Sequence, residues 1–380
     1  MTSLLARARA PLLPRIRPAL GLLNSSLSSP PPLPPFTGPQ PTRLFASHAN
    51  KKKSKKSSSS SVSSHGAPPS AAPSTPPAAK AVQPPLANEA SGPEFKKLPA
   101  PDDPDATVGR IVAVTSGKGG VGKTTSAASF AMGIAAKKPD KSVCVVDFDI
   151  GLRNLDIHLG AERRVVFDFI NVINRECTVN QALIKDKRRP NLSMLAASQT
   201  KDKDALTVAG VEHVLASLAS LFDYVILDSP AGIESGAKHA MYFADDAIIV
   251  TNPELSSCRD ADKMIGFISA RSRRAETGSR PVTQTLLITR YDPARADKNE
   301  SLSITDIQDL LGLDLVGVIP ESSAILTCTN LGTPVIESKD HGADPSALAY
   351  EDMVDRYLGE EREMRFTTVE PASFFKRIFG

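Results

Sequence analysis

The sequence predicts an α/β fold: a doubly wound, mostly parallel sheet with helices on both faces, preceded by a disordered N-terminal extension and followed by a short C-terminal amphipathic helix. Three observations carry this. Beyond residue 100, short β-rich runs alternate with longer helix-favouring ones, the pattern of βαβ units. The runs are nearly continuous Val, Ile and Leu, as in strands buried on both faces. Ahead of them the composition is of another kind altogether.

From Met1 to Ala87 there is no Asp or Glu, and Ser, Pro, Ala, Arg and Lys dominate, with Lys51, Lys52, Lys53, Lys55 and Lys56 leading into a serine run from Ser57. Such a segment buries too little apolar surface to offset its backbone entropy. An acid-free, Arg-bearing, Ser-rich N-terminus is the composition of an organellar transit peptide. Its length and Ser/Pro richness favour a plastid over a mitochondrion. Pro11, Pro14 and Pro18 interrupt any apolar core of a secretory signal. Residues 1–100 are therefore read as transit peptide and linker, 101–365 as one domain, and 366–380 as a linker and tail helix.

Removing the extension changes the charge. The whole chain of 380 residues carries +3, but eleven of its basic residues precede Glu89, leaving 34 basic against 42 acidic side chains, a net −8, over residues 89–380. An acidic body repels polyanions, so no nucleic-acid partner is expected. The four cysteines, Cys144, Cys177, Cys258 and Cys328, are scattered with no C-x-x-C pair, and no zinc or iron–sulfur site is suggested. No apolar run is long enough to span a bilayer.

Along the domain, Arg110–Thr115 reads as a buried strand, Lys123–Ala136 as a helix, Ser142–Asp147 as a second strand and Phe222–Leu227 as another, with further strands at Asp246–Thr251, Thr285–Thr289 and Asp314–Ile319. Between the first strand and the first helix lies Gly117-Lys118-Gly119-Gly120-Val121-Gly122-Lys123-Thr124-Thr125, a match to G-x-x-x-x-G-K-[ST] in the strand–loop–helix context that motif needs. Glycines let such a loop wrap phosphate oxygens with backbone N–H groups and a helix N-terminus. Lys123 is expected on the β- and γ-phosphates and the Thr124 hydroxyl on Mg²⁺, which makes the fold a P-loop NTPase type with ATP and magnesium as cofactors. Two apolar strands then end in carboxylates, Asp147-Phe148-Asp149 and Asp228-Ser229-Pro230. At the C-terminal edge of a parallel sheet these can hold magnesium or its waters and orient an attacking water.

The second lysine of the loop, Lys118, gives K-G-G-V-G-K-T-T, which resembles the deviant Walker A motif of the MinD/ParA superfamily. D-F-D-I-G-L-R-N-L-D (147–156), E-R-R-V-V-F-D-F-I-N-V-I (162–173), A-S-Q-T-K-D-K-D-A-L-T (197–207), D-S-P-A-G-I-E-S-G-A (228–237), T-N-P-E-L-S-S-C-R-D-A-D (251–262) and L-V-G-V-I-P-E (315–321) look like motifs of its MinD family, over roughly residues 109–380. The resemblance implies a homodimer formed on ATP, in which Lys118 reaches the partner's nucleotide. It implies magnesium and water-orienting roles for Asp147, Asp149 and Asp228, and adenine near Thr289-Arg290 and Ile319-Pro320-Glu321. It further implies a MinE-type activator and an effector linked to FtsZ. Asp292 and the stretch Cys328-Thr329-Asn330 depart from the family's pattern, which bears on base contacts. Two other branches of the superfamily compete: iron–sulfur carriers, which need paired cysteines, and ParA-like partition ATPases, which need a basic DNA-binding surface. A third reading is an ATP-binding scaffold without turnover.

The chain ends Phe374-Phe375-Lys376-Arg377-Ile378-Phe379-Gly380. On a helix Phe374 stacks with Ile378 and Phe375 with Phe379, while Lys376 and Arg377 fall to the other side. The segment suits the boundary between acyl chains and anionic headgroups, or packing on its own domain. A single copy holds weakly; two copies in an ATP dimer gain avidity. The resulting expectation is a stromal protein, peripheral on the inner envelope of a plastid, that positions the division site.

Overall fold

The computed structural model describes residues 95–104, 106–201 and 205–369. The tail residues Phe374–Phe379 and residues 1–94 of the expected transit segment lie outside them. Among the described residues the chain runs β1 (Arg110–Thr115), α1 (Lys123–Lys137), β2 (Val143–Asp147), α2 (Leu155–His158), α3 (Phe169–Ile173), α4 (Val179–Ala182), β3 (Ile184–Lys185), β4 (Leu192–Leu195), α5 (Val208–Ala219), β5 (Tyr224–Asp228), α6 (Ser235–Tyr242), β6 (Asp246–Thr251), α7 (Leu255–Arg271), α8 (Arg273–Glu276), β7 (Thr283–Tyr291), α9 (Pro293–Asp297), α10 (Ile304–Leu311), β8 (Asp314–Pro320), α11 (Ser323–Asn330) and α12 (Pro345–Tyr357).

The strands form one sheet in the order β3-β4-β2-β5-β1-β6-β7-β8. Every pairing is parallel except the two-residue β3, which runs antiparallel to β4 at the edge. Both faces of the central strands are buried, as their unbroken apolar runs predict. Val112, Val114, Val143 and Val145 point into a core shared with α1 and α12. Ile111, Cys144 and Val146 point the other way, against α3 and α5. Ala247, Ile249 and Leu286 meet α7 and α10. The alternation is the two-residue period of a strand, with helices closing each side.

The predicted strands at Arg110–Thr115 and Asp246–Thr251 match residue for residue, and the others shift by up to two residues at an end. Neither β3 nor β4 was anticipated. Leu192–Leu195 is a four-residue run after the charged segment Lys185–Arg189 and Pro190, and its strand character comes from pairing in register with Val143–Val146.

Residues 95–100, on the extension side of the compositional boundary, already pack on the domain. Phe95 meets the His213 ring edge-on and lies under the Arg175 guanidinium at 4.3 Å. Leu98 is buried, and Arg273 donates to the Leu98 and Pro99 carbonyls.

Helix α1 is tightly seated. A Cβ on Gly133 would lie 2.6 Å from Val354 Cγ2 and 2.9 Å from Ile336 Cδ1. Helix propensity favours Val over Gly by only about 0.5 kcal/mol, whereas overpacking costs about 1–3 kcal/mol. The steric effect therefore wins: Gly133→Val should lower the unfolding free energy by about 1–2 kcal/mol, read as a lower urea midpoint at unchanged m-value.

Candidate nucleotide-binding site

Because the strands run parallel, their C-terminal ends converge on one edge, and the first βα turn carries the glycine loop. Only a glycine fits at position 117, where a Cβ would fall 2.2 Å from the Asp260 carbonyl oxygen of α7. Gly120 and Gly122 take φ of 77° and 91°, the left-handed region that glycine enters without strain. A Cβ on Gly119, Gly120 or Gly122 would have nothing within 4 Å, so this side of the loop faces open space. Gly122, the residue before α1, offers no side-chain cap, leaving the first-turn N–H groups of the helix available to an anion.

Two hydroxyls, the Lys123 ammonium and a backbone N–H hold the loop from beneath. Ser116 Oγ donates to the Lys118 carbonyl (2.7 Å) and accepts from Lys123 Nζ (3.0 Å). Thr289, at the end of β7, donates to the Val121 carbonyl at 2.7 Å, tying the loop to the sheet from 168 residues away. Gly232 N–H donates to the Ser116 carbonyl (3.0 Å), bringing the Asp228–Gly232 turn beside the loop.

The register pairs Asp147 directly with Asp228 on neighbouring strands. Both carboxylates are buried. Asp147 accepts backbone N–H groups from Asp149 (2.9 Å), Asn154 (3.2 Å) and Leu155 (3.1 Å), so it anchors the loop that carries Asp149. Asp228 accepts from the Thr124 hydroxyl, and its Oδ1 is buried with no hydrogen-bond partner. Burial, then the charge of Asp147, holds Asp228 well above the usual carboxylate range, and burial raises Asp147 likewise. Burial pushes Lys123 down, opposed by the charges of Asp228 and Asp149. Lys123, Asp147, Asp149 and Asp228 thus form one electrostatic cluster.

Lys118 stands apart from it. Its ammonium pairs with Glu254 at the start of α7, with Ser256 Oγ at 3.3 Å, and Glu254 in turn accepts from Asn252 Nδ2 at 2.8 Å. Glu254 was not singled out from the sequence, although it lies in the T-N-P-E-L-S-S motif; only the fold brings it to Lys118. Arg290 and Pro320 lie at the ends of β7 and β8 on the same edge as the loop, Arg290 exposed with φ 53°. Asp292 caps α9 by accepting from Ala294 N–H.

A nucleotide with magnesium fits these residues. The open glycine face and the uncapped helix suit phosphates, while the orphaned Asp228 oxygen beside the Thr124 hydroxyl suits a hard cation.

Known proteins resemble the chain closely. A family model described as an AAA domain matches residues 109–277. The septum site-determining protein MinD of Escherichia coli (strain K12) is 56% identical over 272 residues, covering 71% of this chain and 99% of that protein. The chain belongs to the MinD family. Among solved structures, MinD in the MinC:MinD cell division protein complex of Aquifex aeolicus is 35% identical with a TM-score of 0.57, covering 68% of this chain and 100% of that one. MinD of Pyrococcus horikoshii complexed with Mg-ADP is 25% identical with a TM-score of 0.56, covering 65% and 95%.

The paired carboxylates make stability depend on pH. Their folded pKa values lie above those of the unfolded chain, so the folded protein binds more protons; stability is full below the ordinary carboxylate range and falls as pH rises through the elevated one. Without nucleotide or magnesium, Asp228→Asn should therefore flatten this loss and raise stability near pH 8 by roughly 1–3 kcal/mol, the scale of an uncompensated buried polar group. Urea denaturation at pH 5 and pH 8 reads both effects.

Proposed function

We propose that this protein is an ATPase switch that dimerises on ATP, binds an anionic membrane as a dimer and positions the division site of a plastid. The observation that carries the reading is the division of labour between two lysines of one loop. Lys123 is buried over its own loop beside Thr124, Asp149 and Asp228, placed to serve a nucleotide bound in cis. Lys118, on the outer side, is held among the described residues by surface partners at the start of α7. An exposed pair of this kind contributes about 0–1 kcal/mol, so a partner's phosphates can draw Lys118 away at small cost. Turnover would then require two subunits.

Magnesium, when bound, would neutralise phosphate charge, with Thr124 and Asp228 to hold it. Asp149 sits on the loop anchored by Asp147 and would orient the attacking water. The family membership supports division-site placement. The N-terminal composition supports a plastid stroma, and the Phe374–Phe379 pattern supports attachment to the inner envelope. A MinE-type activator, an FtsZ-linked effector and no nucleic acid complete the reading.

Two measurements test it. Lys118→Ala should keep ATP binding yet lower kcat by about 10²–10³-fold, the scale of losing one charge-stabilising donor; unchanged turnover would mean Lys118 acts on no phosphate. The chain from Phe95 to Gly380 should pellet with anionic liposomes in ATP but not in ADP, and not at all without Phe374–Gly380. Asp149→Ala, hydrolysis-dead and trapped as a dimer, should stay on the liposomes. Pelleting that ignores the nucleotide would sink the membrane switch and favour the scaffold.

A further inference from the structure

One hydrogen-bonded group at the nucleotide edge has no part in the site described above. Helix α2 begins on the Asp147 carboxylate and ends at His158. The imidazole Nδ1 lies 3.0 Å from the Asn154 carbonyl oxygen, and Nε2 lies 3.3 Å from Thr125 Oγ1 in the first turn of α1. A carbonyl can only accept, so Nδ1 carries a hydrogen. In the neutral ring Nε2 is then an acceptor, and the Thr125 hydroxyl must aim its own hydrogen at the ring.

The surroundings keep the ring neutral. Burial lowers the His158 pKa, opposed by the Asn154 carbonyl and the charge of Asp156 on the same helix. On α1, which packs against α2, the ammonium of Lys123 is turned to Ser116. Helix α11, also packed against α2, carries no charged residue from Ser323 to Asn330.

Thr125 directly follows the phosphate loop, and its neutral-state geometry is the wrong one for an anion. With the hydrogen directed at Nε2, Oγ1 offers lone pairs to an approaching phosphate oxygen. Simply rotating the hydroxyl would strand Nε2 without a donor. A proton on Nε2 removes the conflict: Nε2–H donates to Oγ1, and the Thr125 hydrogen turns to the phosphate. We propose that His158 is a positioning residue for the nucleotide, taking one proton from solvent as phosphate binds so that the Thr125 hydroxyl becomes a donor to it. This rests on the reading of the loop as a nucleotide site, and it couples affinity to pH at a point where the ligand's own charge is constant.

The test is calorimetric titration of the full chain with Mg-ADP between pH 7 and pH 8.5 in buffers of differing ionisation enthalpy. Phosphate itself titrates near pH ~6, below that window. Relative to His158→Leu, the wild-type chain should take up one more proton on binding, and its affinity should fall more steeply as pH rises, by up to about tenfold per pH unit; any proton that Asp147 and Asp228 release as magnesium binds is common to both. His158→Leu and Thr125→Val should bind without this extra uptake, keeping only the pH dependence of the carboxylates. His158→Gln, whose amide can donate to Thr125 without titrating, should restore affinity at pH 8.5 yet show no more uptake than His158→Leu. Equal proton uptake in wild type and His158→Gln would overturn the proposal while leaving the nucleotide site intact. Failure of the wild-type chain to bind Mg-ADP at all would instead overturn the site.

Discussion

Two carboxylates buried side by side at the end of an apolar sheet are the constraint around which the rest is arranged. The β2–β5 register sets Asp147 against Asp228 with both removed from water, an arrangement that costs several kcal/mol per charge where nothing compensates. The fold answers the two differently. Asp147 receives three backbone N–H groups and thereby fixes the loop bearing Asp149. Asp228 receives the Thr124 hydroxyl and the field of Lys123 but keeps one oxygen unpaired. The uncompensated part of the cost is located at the Asp228 oxygen beside the glycine loop, where a bound magnesium would offset it.

The same logic separates the two lysines. Lys123 is desolvated, and the charges of Asp149 and Asp228 oppose the shift toward its neutral form. Lys118 is partly exposed and paired with Glu254, a weak attachment. A buried lysine is committed to its own loop, whereas a surface one can leave its partner at small cost. The glycines make the difference possible: the loop can press on α7 only because position 117 lacks a Cβ, and this contact brings Glu254 within reach of Lys118.

Much of this was legible in the sequence because it is local. A strand, a glycine loop and a helix start occupy one continuous stretch, so Gly117–Thr125 could be placed without tertiary information. The carboxylates were legible because each closes an apolar run. What could not be read joins distant residues: Glu254 meets Lys118 across 136 positions, and Thr289 meets Val121 across 168. Nor could His158 be singled out, since a lone histidine in a short helix gains meaning only from the tautomer its neighbours impose. Strands β3 and β4 were missed for the same reason: a two-residue and a four-residue run have no period to detect, and pairing alone defines them.

The N-terminal segment shows why an addition to this fold need not disturb its chemistry. Arg274 joins Asp102 (2.7 Å) to Asp245 (2.6 Å), just ahead of β6, and the Arg280 N–H also donates to Asp102. Lys96 N–H donates to His213 on α5. Asp245 and Arg280 precede β6 and β7, so these contacts lie at the N-terminal ends of the central strands. The glycine loop and the carboxylates lie at the C-terminal ends. In a parallel sheet all strand starts face one way and all strand ends the other, so a segment anchored at the first edge is kept a strand's length from the second. Residues 95–104 therefore pack on the domain at the strand starts and leave the edge that carries the glycine loop and the carboxylates uncovered by them.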